Sequence, residues 1–449
     1  MSDRHLSADR PLPEGVRDLL FADAAAFRAM TAALQATWSA WGYREIILPT
    51  FEYADTLATD VGATVDAEMY RFFDRHGRTL ALRPDMTIPT ARVVGTRLYD
   101  QPMPLRLAYV GSVFRYEPPR AGRQHEFTQA GVELIGAAGA LADAESVALA
   151  VAALQAVGLP EFRITVGHVG FFRGLLAALG LPERAAGRLR TAVDRKAEAG
   201  LAQLLAEIPG LPPLARNAVL TLPRLTGDAG VLDEAEAICL NSTMMQALSD
   251  LRAMADLLAV FGVADRVSYD LAEVRDLDYY TGITFEGFAP GLGFNLISGG
   301  RYDELIGHFG PPLAAVGWAL TLDRVLLARE MQGIIYPEPR ADVLLAARGC
   351  AACLQWAAQA RGLGLKVELD PLGLAPDALW QAAQAHGIPR AVYPAGEAHA
   401  PDQRTDANAL MGRRSPSDVA PHALMVRDAT GEHVLDGNDW EEVASWLNR

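Results

Sequence analysis

Lysine is nearly absent from this chain. Of 449 residues only Lys196 and Lys366 are lysines, and the remaining positive charge is arginine. With 40 basic against 55 acidic residues the formal net charge is -15. Such a surface repels a polyanion unless its basic residues cluster, which removes nucleic acid as the default partner. Cysteine is scarce too. Cys239, Cys350 and Cys353 fall far below the density of a disulfide scaffold and suit a reducing compartment. No apolar run approaches the roughly 20 residues that span a bilayer. Met1 to Gly15 is polar and proline-bearing, without the apolar stretch of a signal peptide. The expectation is a soluble, cytoplasmic protein with no membrane contact. Several catalytic motifs are also missing: a Walker A loop, a G-x-S-x-G elbow, an H-E-x-x-H pair and a dinucleotide glycine fingerprint. The cysteines at 350 and 353 lack further Cys or His ligands nearby, so we expect neither a metal nor a cofactor. They read as two small buried residues at a strand-to-helix junction.

What is present is an ordinary globular balance, half hydrophobic and 21% charged, in a chain long enough for two or three domains. Phe27, Met30, Leu34, Trp38 and Trp41 recur at helical spacing, predicting a helix from Asp23 to about Trp41 that Gly42 stops. Glu45 to Phe51 reads as a strand at an edge or interface, since Pro49 cannot donate to a ladder. Short strands follow at Met69–Asp74, Gly77–Arg83, Leu105–Glu117 and Phe127–Gly136, an antiparallel α+β texture. From about Gly170 to Ala264 alanine and leucine dominate and strand signals vanish, predicting a helical insertion. Strand-like sequence resumes at Val267 and runs to Ser298, and a helix is predicted around Val316 to Met331. Beyond the Glu338-Pro339-Arg340 linker, apolar runs at Asp342–Ala346, Val367–Leu369 and Arg390–Tyr393 alternate with helical stretches, the pattern of a small α/β domain. Ala398 to Asp418 reads as a loop. Asn241-Ser242-Thr243 fits a glycosylation sequon that a cytoplasmic protein does not use.

Four separated segments mix glycine, arginine, carboxylate and tyrosine inside strand-like sequence. They are Leu82–Thr87, Phe114–Glu117 with Gly122–Glu133, Val274–Gly282, and Ser298–Asp303. Charge inside a strand is costly unless it is paired or faces a cavity. Arginines can take an anionic group, carboxylates an amine or imidazolium, and glycines let the backbone approach a ligand.

These segments resemble the catalytic domain of the histidyl-tRNA synthetases, from about Pro13 to Arg329. Arg275–Tyr280 and Gly299–Asp303 are similar to that family's two histidine signatures, and Phe114–Glu133 to motif 2 of class II synthetases. Pro49 stands where motif 1 places a dimer-interface proline, and Val316–Leu326 occupies the place of motif 3. The resemblance implies a class II antiparallel sheet with flanking helices over residues 1–336, the insertion at about 170–264 within it. Residues 341–449 resemble a degenerate anticodon-binding domain, their nine basic against fourteen acidic residues being a poor balance for holding RNA. It further implies a histidine pocket made by Asp85, Thr87, Gln129, Glu133, Arg275, Tyr279, Tyr280 and Tyr302. Residual ATP-side positions would be Arg115, Glu117, Arg123 and Arg324.

The ATP side departs from the synthetases. Thr321 replaces a glycine beneath the adenine, Asp323 shortens a glutamate, His125 replaces an arginine, and Thr128 stands where they usually carry histidine. With Pro13–Leu20, these departures are similar to the family of ATP phosphoribosyltransferase regulatory subunits. That resemblance implies a non-catalytic subunit, required by a short-form catalytic partner, which senses histidine for feedback inhibition at the first step of histidine biosynthesis. It would be a homodimer within a hetero-oligomer. The alternatives are an active histidyl-tRNA synthetase and a histidine-dependent sensor acting on some other protein.

Overall fold

The computed structural model describes the chain outside residues 1–11, 60–65, 117–123, 209–210, 273–278, 348–350, 396–422, 438, 440–442, 444 and 446–449. The chain divides into a unit spanning Met1–Tyr336 and a second spanning Pro337–Arg449.

In the first unit the strands are, in chain order, β1 (Arg44–Glu45), β2 (Phe51–Tyr53), β3 (Arg71–Phe73), β4 (Thr79–Leu82), β5 (Leu105–Phe114) and β6 (Glu126–Ile135). Next come β7 (Arg163–His168), β8 (Thr226–Gly227), β9 (Val267–Asp270), β10 (Ile283–Phe288), β11 (Ile297–Arg301) and β12 (Ala315–Thr321). Nine of them form one sheet in the order β1-β5-β6-β12-β11-β10-β7-β9-β8, while β2, β4 and β3 make a separate small sheet. Only β1–β5 and β7–β9 pair in parallel in the large sheet. This is the α+β, antiparallel-dominated sheet of the class II synthetase fold. The alanine-rich helix Ala140–Ala156 packs against it, small side chains allowing close approach, and the Trp318 indole donates to the Ser146 carbonyl at 3.0 Å.

Three expectations need correction. The strand expected over Glu45–Phe51 is two strands in two sheets, β1 and β2, interrupted around Pro49. Arg83 fills the interruption: its Nη1 donates to the carbonyls of Leu48 (2.8 Å) and Pro49 (3.1 Å), and its Nε to that of Ser112 (2.7 Å). The helix expected over Val316–Met331 begins only at Leu322; Ala315–Thr321 is a central strand. A short apolar run buried on both faces carries no period to separate strand from helix. Within the expected all-helical insertion, Thr226–Gly227 adds a short strand against β9. The other elements described in that stretch are helices, including Val169–Leu179, Glu183–Asp194 and Ser242–Val260. Asn241 is the N-cap of the last, its side chain accepting from Met244 N–H at 3.0 Å, which gives the sequon asparagine a structural task.

The second unit has β13 (Val343–Ala346), β14 (Val367–Asp370), β15 (Ala391–Pro394), β16 (Ala423–Asp428) and β17 (Gly431–Asp436) in the order β14-β13-β15-β16-β17. Helices Ala351–Gly362 and Pro376–Ala385 connect the three parallel strands, and the β16–β17 hairpin is an addition the sequence pattern did not reveal. Cys353 is buried and disulfide-bonded, contrary to the expectation of a plain small core residue; Cys350 lies outside the described residues. The loop expected at Ala398–Asp418 also lies outside them. Among the described residues no helix is long and apolar enough to cross a membrane.

Candidate functional site

Strand alternation puts Gln129, Gly131 and Glu133 of β6 on one face of the sheet. On β12, Thr321 pairs with Gln129 and Gly317 with Glu133, and on β11 Gly300 pairs with Gly317. These residues set the length of a cavity of about 210 Å³, below the roughly 300–1,000 Å³ of a drug-sized site and therefore suited to a small ligand. One end lies over Gly317 and Glu133; the other, four residues or about 13 Å along the strands, lies at Thr321.

At the first end, Asp85, Thr87, Tyr279, Tyr280 and Tyr302 line the wall. Glu133 lies wholly buried there, accepting from the Tyr302 hydroxyl at 2.5 Å and the Tyr109 hydroxyl at 3.0 Å. Burial pushes the Glu133 carboxyl up to about 7, against the opposing hydrogen bonds of Tyr302, Tyr109 and Thr87. Burial also raises Asp85, with Arg115 opposing it, while one Asp85 oxygen accepts from Ile88 N–H at 3.2 Å. The glycine pair of Ser298–Asp303 has a steric purpose. A Cβ on Gly300 would stand 2.8 Å from the Tyr280 ring and one on Gly299 2.5 Å from Trp318 Cβ. Tyr279 packs edge-on to Tyr302 at 6.0 Å between centroids, so the three tyrosines form one rigid aromatic wall.

Gln129 bridges the two ends, its Oε1 accepting from Met86 N–H at 3.1 Å. Around the second end stand Phe127, Asn295, Ser298, Thr321, Arg115 and Arg324. Both arginines are already engaged. Arg115 Nε donates to the Pro84 carbonyl at 2.7 Å, and Arg324 Nη1 donates to Asn295 Oδ1 at 2.6 Å and its carbonyl at 2.9 Å. Asp323 is occupied as well, accepting from Thr128 N–H at 2.8 Å and Arg17 Nη2 at 3.1 Å. His125 is buried and bonded to the Tyr70 hydroxyl at 2.8 Å, with Gly15 pressed against its ring.

Of the residues expected to hold histidine, the fold brings Asp85, Thr87, Gln129, Tyr279, Tyr280 and Tyr302 to one cavity, with Glu133 buried behind Tyr302. Of the ATP-side positions it brings Arg115 and Arg324. Arg275, Glu117 and Arg123 lie outside the described residues. Arg301, in the fourth segment, turns away to Asp143 and is structural. Sequence reasoning missed Tyr109 and Asn295, and gave Ser298, inside the fourth segment, no role of its own. Tyr109 reaches Glu133 because it pairs with Gly131, between Gln129 and Glu133, a register that no local sequence signal gives. Among the described residues no set of three or more His, Cys, Asp or Glu side chains could hold a metal ion.

Comparison with known proteins adds four findings. A family model described as histidyl-tRNA synthetase matches residues 15–325. A protein of Symbiobacterium thermophilum named ATP phosphoribosyltransferase regulatory subunit is 43% identical over 390 residues, 85% of this chain and 96% of its own. Among solved structures, one from Bacillus halodurans, described as an ATP phosphoribosyltransferase regulatory subunit/histidyl-tRNA synthetase, matches with a TM-score of 0.76 at 32% identity. It covers 86% of this chain and 98% of that one. Histidyl-tRNA synthetase from a Nostoc species also reaches 0.76, over 98% of this chain and 99% of its own, but at 21% identity, a likeness of fold alone.

Proposed function

Because this chain belongs to the ATP phosphoribosyltransferase regulatory subunits, built on the histidyl-tRNA synthetase domain, we propose that its cavity senses histidine on behalf of a catalytic partner. The partner is a short-form catalytic subunit, active only in the complex and inhibited when histidine occupies this site. Histidine acts by differential affinity for two states of the assembly, so the subunit regulates without catalysing.

One observation carries the ligand: two buried carboxylates, Asp85 and Glu133, stand among phenol and threonine hydroxyls at one end of a cavity sized for a single amino acid. Such an end takes donors, the ammonium and ring N–H groups of histidine. The ATP half supports the absence of adenylation, since Thr321 puts a β-branched side chain on the cavity wall and Asp323 is tied to Arg17 and Thr128. The subunit works in the cytoplasm as a homodimer, and residues 341–449 are a retained anticodon-binding-like domain that no longer binds RNA.

The test is calorimetry with histidine, followed by histidine-dependent ATP–pyrophosphate exchange, then by assay of the short catalytic subunit with and without this chain. Binding, silence in exchange and histidine-sensitive activation are expected. A second reading, an active synthetase, is favoured by Arg115 and Arg324 still lining the cavity; clear exchange would establish it and overturn ours.

A further inference from the structure

Strand alternation in β5 sends Tyr109 toward the cavity, where it bonds Glu133, and Arg106, three residues earlier, to the opposite face of the sheet. On that face Arg106 Nε and Nη2 each donate to an oxygen of Glu145 at 2.8 Å, and the Tyr43 hydroxyl donates to the same carboxylate at 3.1 Å. Glu145 belongs to the helix Ala140–Ala156, which packs there. Beside the pair lies an open recess of about 330 Å³, lined further by Trp41, Gly42 and Phe261. Trp41 follows the helix Phe21–Ala40 and Phe261 follows the helix Ser242–Val260. Their rings stack at 5.9 Å between centroids with 24° between planes, which makes the wall aromatic. Phe261 is exposed, and so is Val260 beside it. Large aromatic side chains within reach of solvent, next to a half-buried guanidinium, are what the centre of a protein interface carries.

The occupant follows from what the recess leaves unpaired. Glu145 is spent on Arg106 and Tyr43, whereas Arg106 Nη1 and the Trp41 indole N–H have no partner among the described residues. Groups that only donate call for an acceptor, and a guanidinium bonds a carboxylate best. Two copies of this chain meeting here would set donors against donors, because a two-fold contact offers the same patch from both sides. A different chain, bearing a carboxylate next to an apolar side chain, meets both the donors and the rings.

We propose that this recess docks the catalytic partner, taking an apolar side chain against the Trp41–Phe261 stack and a neighbouring carboxylate on Arg106 Nη1. The assignment rests on the regulatory reading above and gives that reading a contact surface. It also sets the partner behind the cavity, since Arg106 and Tyr109 stand only about 10 Å apart along one strand. The two faces share an electrostatic neighbour as well. Burial raises the Tyr43 hydroxyl most and Glu145 next, Arg106 opposes them, and Glu133 adds to the rise from the cavity side. Occupancy of the cavity therefore bears on the strand whose other face holds the partner.

The experiment measures binding of the purified short catalytic subunit to the full chain by biolayer interferometry, alongside phosphoribosyl transfer, histidine calorimetry and light scattering. Phe261→Glu should keep the histidine affinity and the wild-type mass but weaken the partner by about tenfold or more, with activation needing correspondingly more of this chain. Phe261→Lys removes the same ring and should lose less, since its charge attracts a carboxylate. Partner affinity within about twofold of wild type for both variants overturns the docking face and leaves the regulatory reading intact. Equal losses in the two overturn the carboxylate. A halved mass for Phe261→Glu gives the face to a second copy of this chain and overturns the proposal. Should Phe261→Glu no longer bind histidine, Val260→Glu, at an exposed side chain, decides by the same criterion. A wild-type chain that neither binds nor activates the catalytic subunit overturns both readings.

Discussion

Arg301 and Asp143 form a buried ion pair across the first unit, with Arg301 Nη2 and Nε 2.6 and 2.9 Å from the same Asp143 oxygen. Arg301 Nη1 also donates to Asp303 Oδ1 at 3.0 Å, bracketing Tyr302 between the two residues of that contact. Removing one partner of such a pair strands a desolvated charge. Arg301→Leu should therefore cost about 3–5 kcal/mol in urea denaturation, whereas Arg301→Met with Asp143→Leu should recover much of it. A loss within the error of the extrapolation would mean that solvent reaches the pair.

Gly317 is where sheet packing and the site meet. A Cβ there would lie 1.7 Å from Glu133 Oε2 and 2.4 Å from the Val132 carbonyl, and backbone cannot swing aside. Gly317→Ala should destabilise by about 1–3 kcal/mol or more and abolish histidine binding in calorimetry. Gly187 is the control. It lies inside the helix Glu183–Asp194 with nothing near its Cβ position, so Gly187→Ala should stabilise by about 0.5–1 kcal/mol and leave binding untouched.

The fate of these glycines shows what the sequence could and could not convey. The four segments, through their resemblance to the synthetases, were enough to point to the synthetase-like sheet and to eight residues of its cavity, Arg115 and Arg324 among them. Partners joined only by the fold left no such trace. Nothing local ties Tyr109 to Glu133, 24 residues apart, or Arg301 to Asp143, 158 apart. Central strand β12 was misread because burial on both faces erases the alternation that marks a strand. Pro49 was read as lying inside one edge strand; that the chain changes sheets there depends on Arg83, 34 residues on.

Stability should fall as pH rises toward neutrality, and Glu133 is a principal cause. Its folded value near 7 lies above the roughly 4.3 of an unfolded glutamate. Between those values the folded chain holds a proton that the unfolded chain has lost, so each unit of rising pH costs up to about 1.4 kcal/mol. Over the whole window this is about 3–4 kcal/mol, carried by a side chain with no solvent screening. Glu133→Gln cannot titrate. The stability difference between wild type and variant, from denaturation at several pH values between about 4.5 and 7.5, should drift by that amount. A constant difference would mean that Glu133 stays ionised in the folded chain.

Ile47 is 92% exposed, and Phe51, four residues on and 52% exposed, meets Phe72 edge-on at 5.6 Å, apolar exposure that solvent alone does not explain. The neighbouring backbone is fixed, because Arg83 holds the Leu48 and Pro49 carbonyls. A rigid segment presenting an aliphatic side chain loses little entropy on association, which is what a self-interface built around Pro49 needs. Ile47→Glu would bury a carboxylate in the self-interface of the dimer proposed above, so on that proposal light scattering should report a monomer of 48.2 kDa for the variant and twice that mass for the wild type. Val260, 84% exposed at the end of the helix Ser242–Val260, separates this from a general loss of surface hydrophobicity. Val260→Glu should leave the dimer intact; if both variants dissociate it alike, the contact is not centred on Ile47, and if neither does, the dimer uses another face.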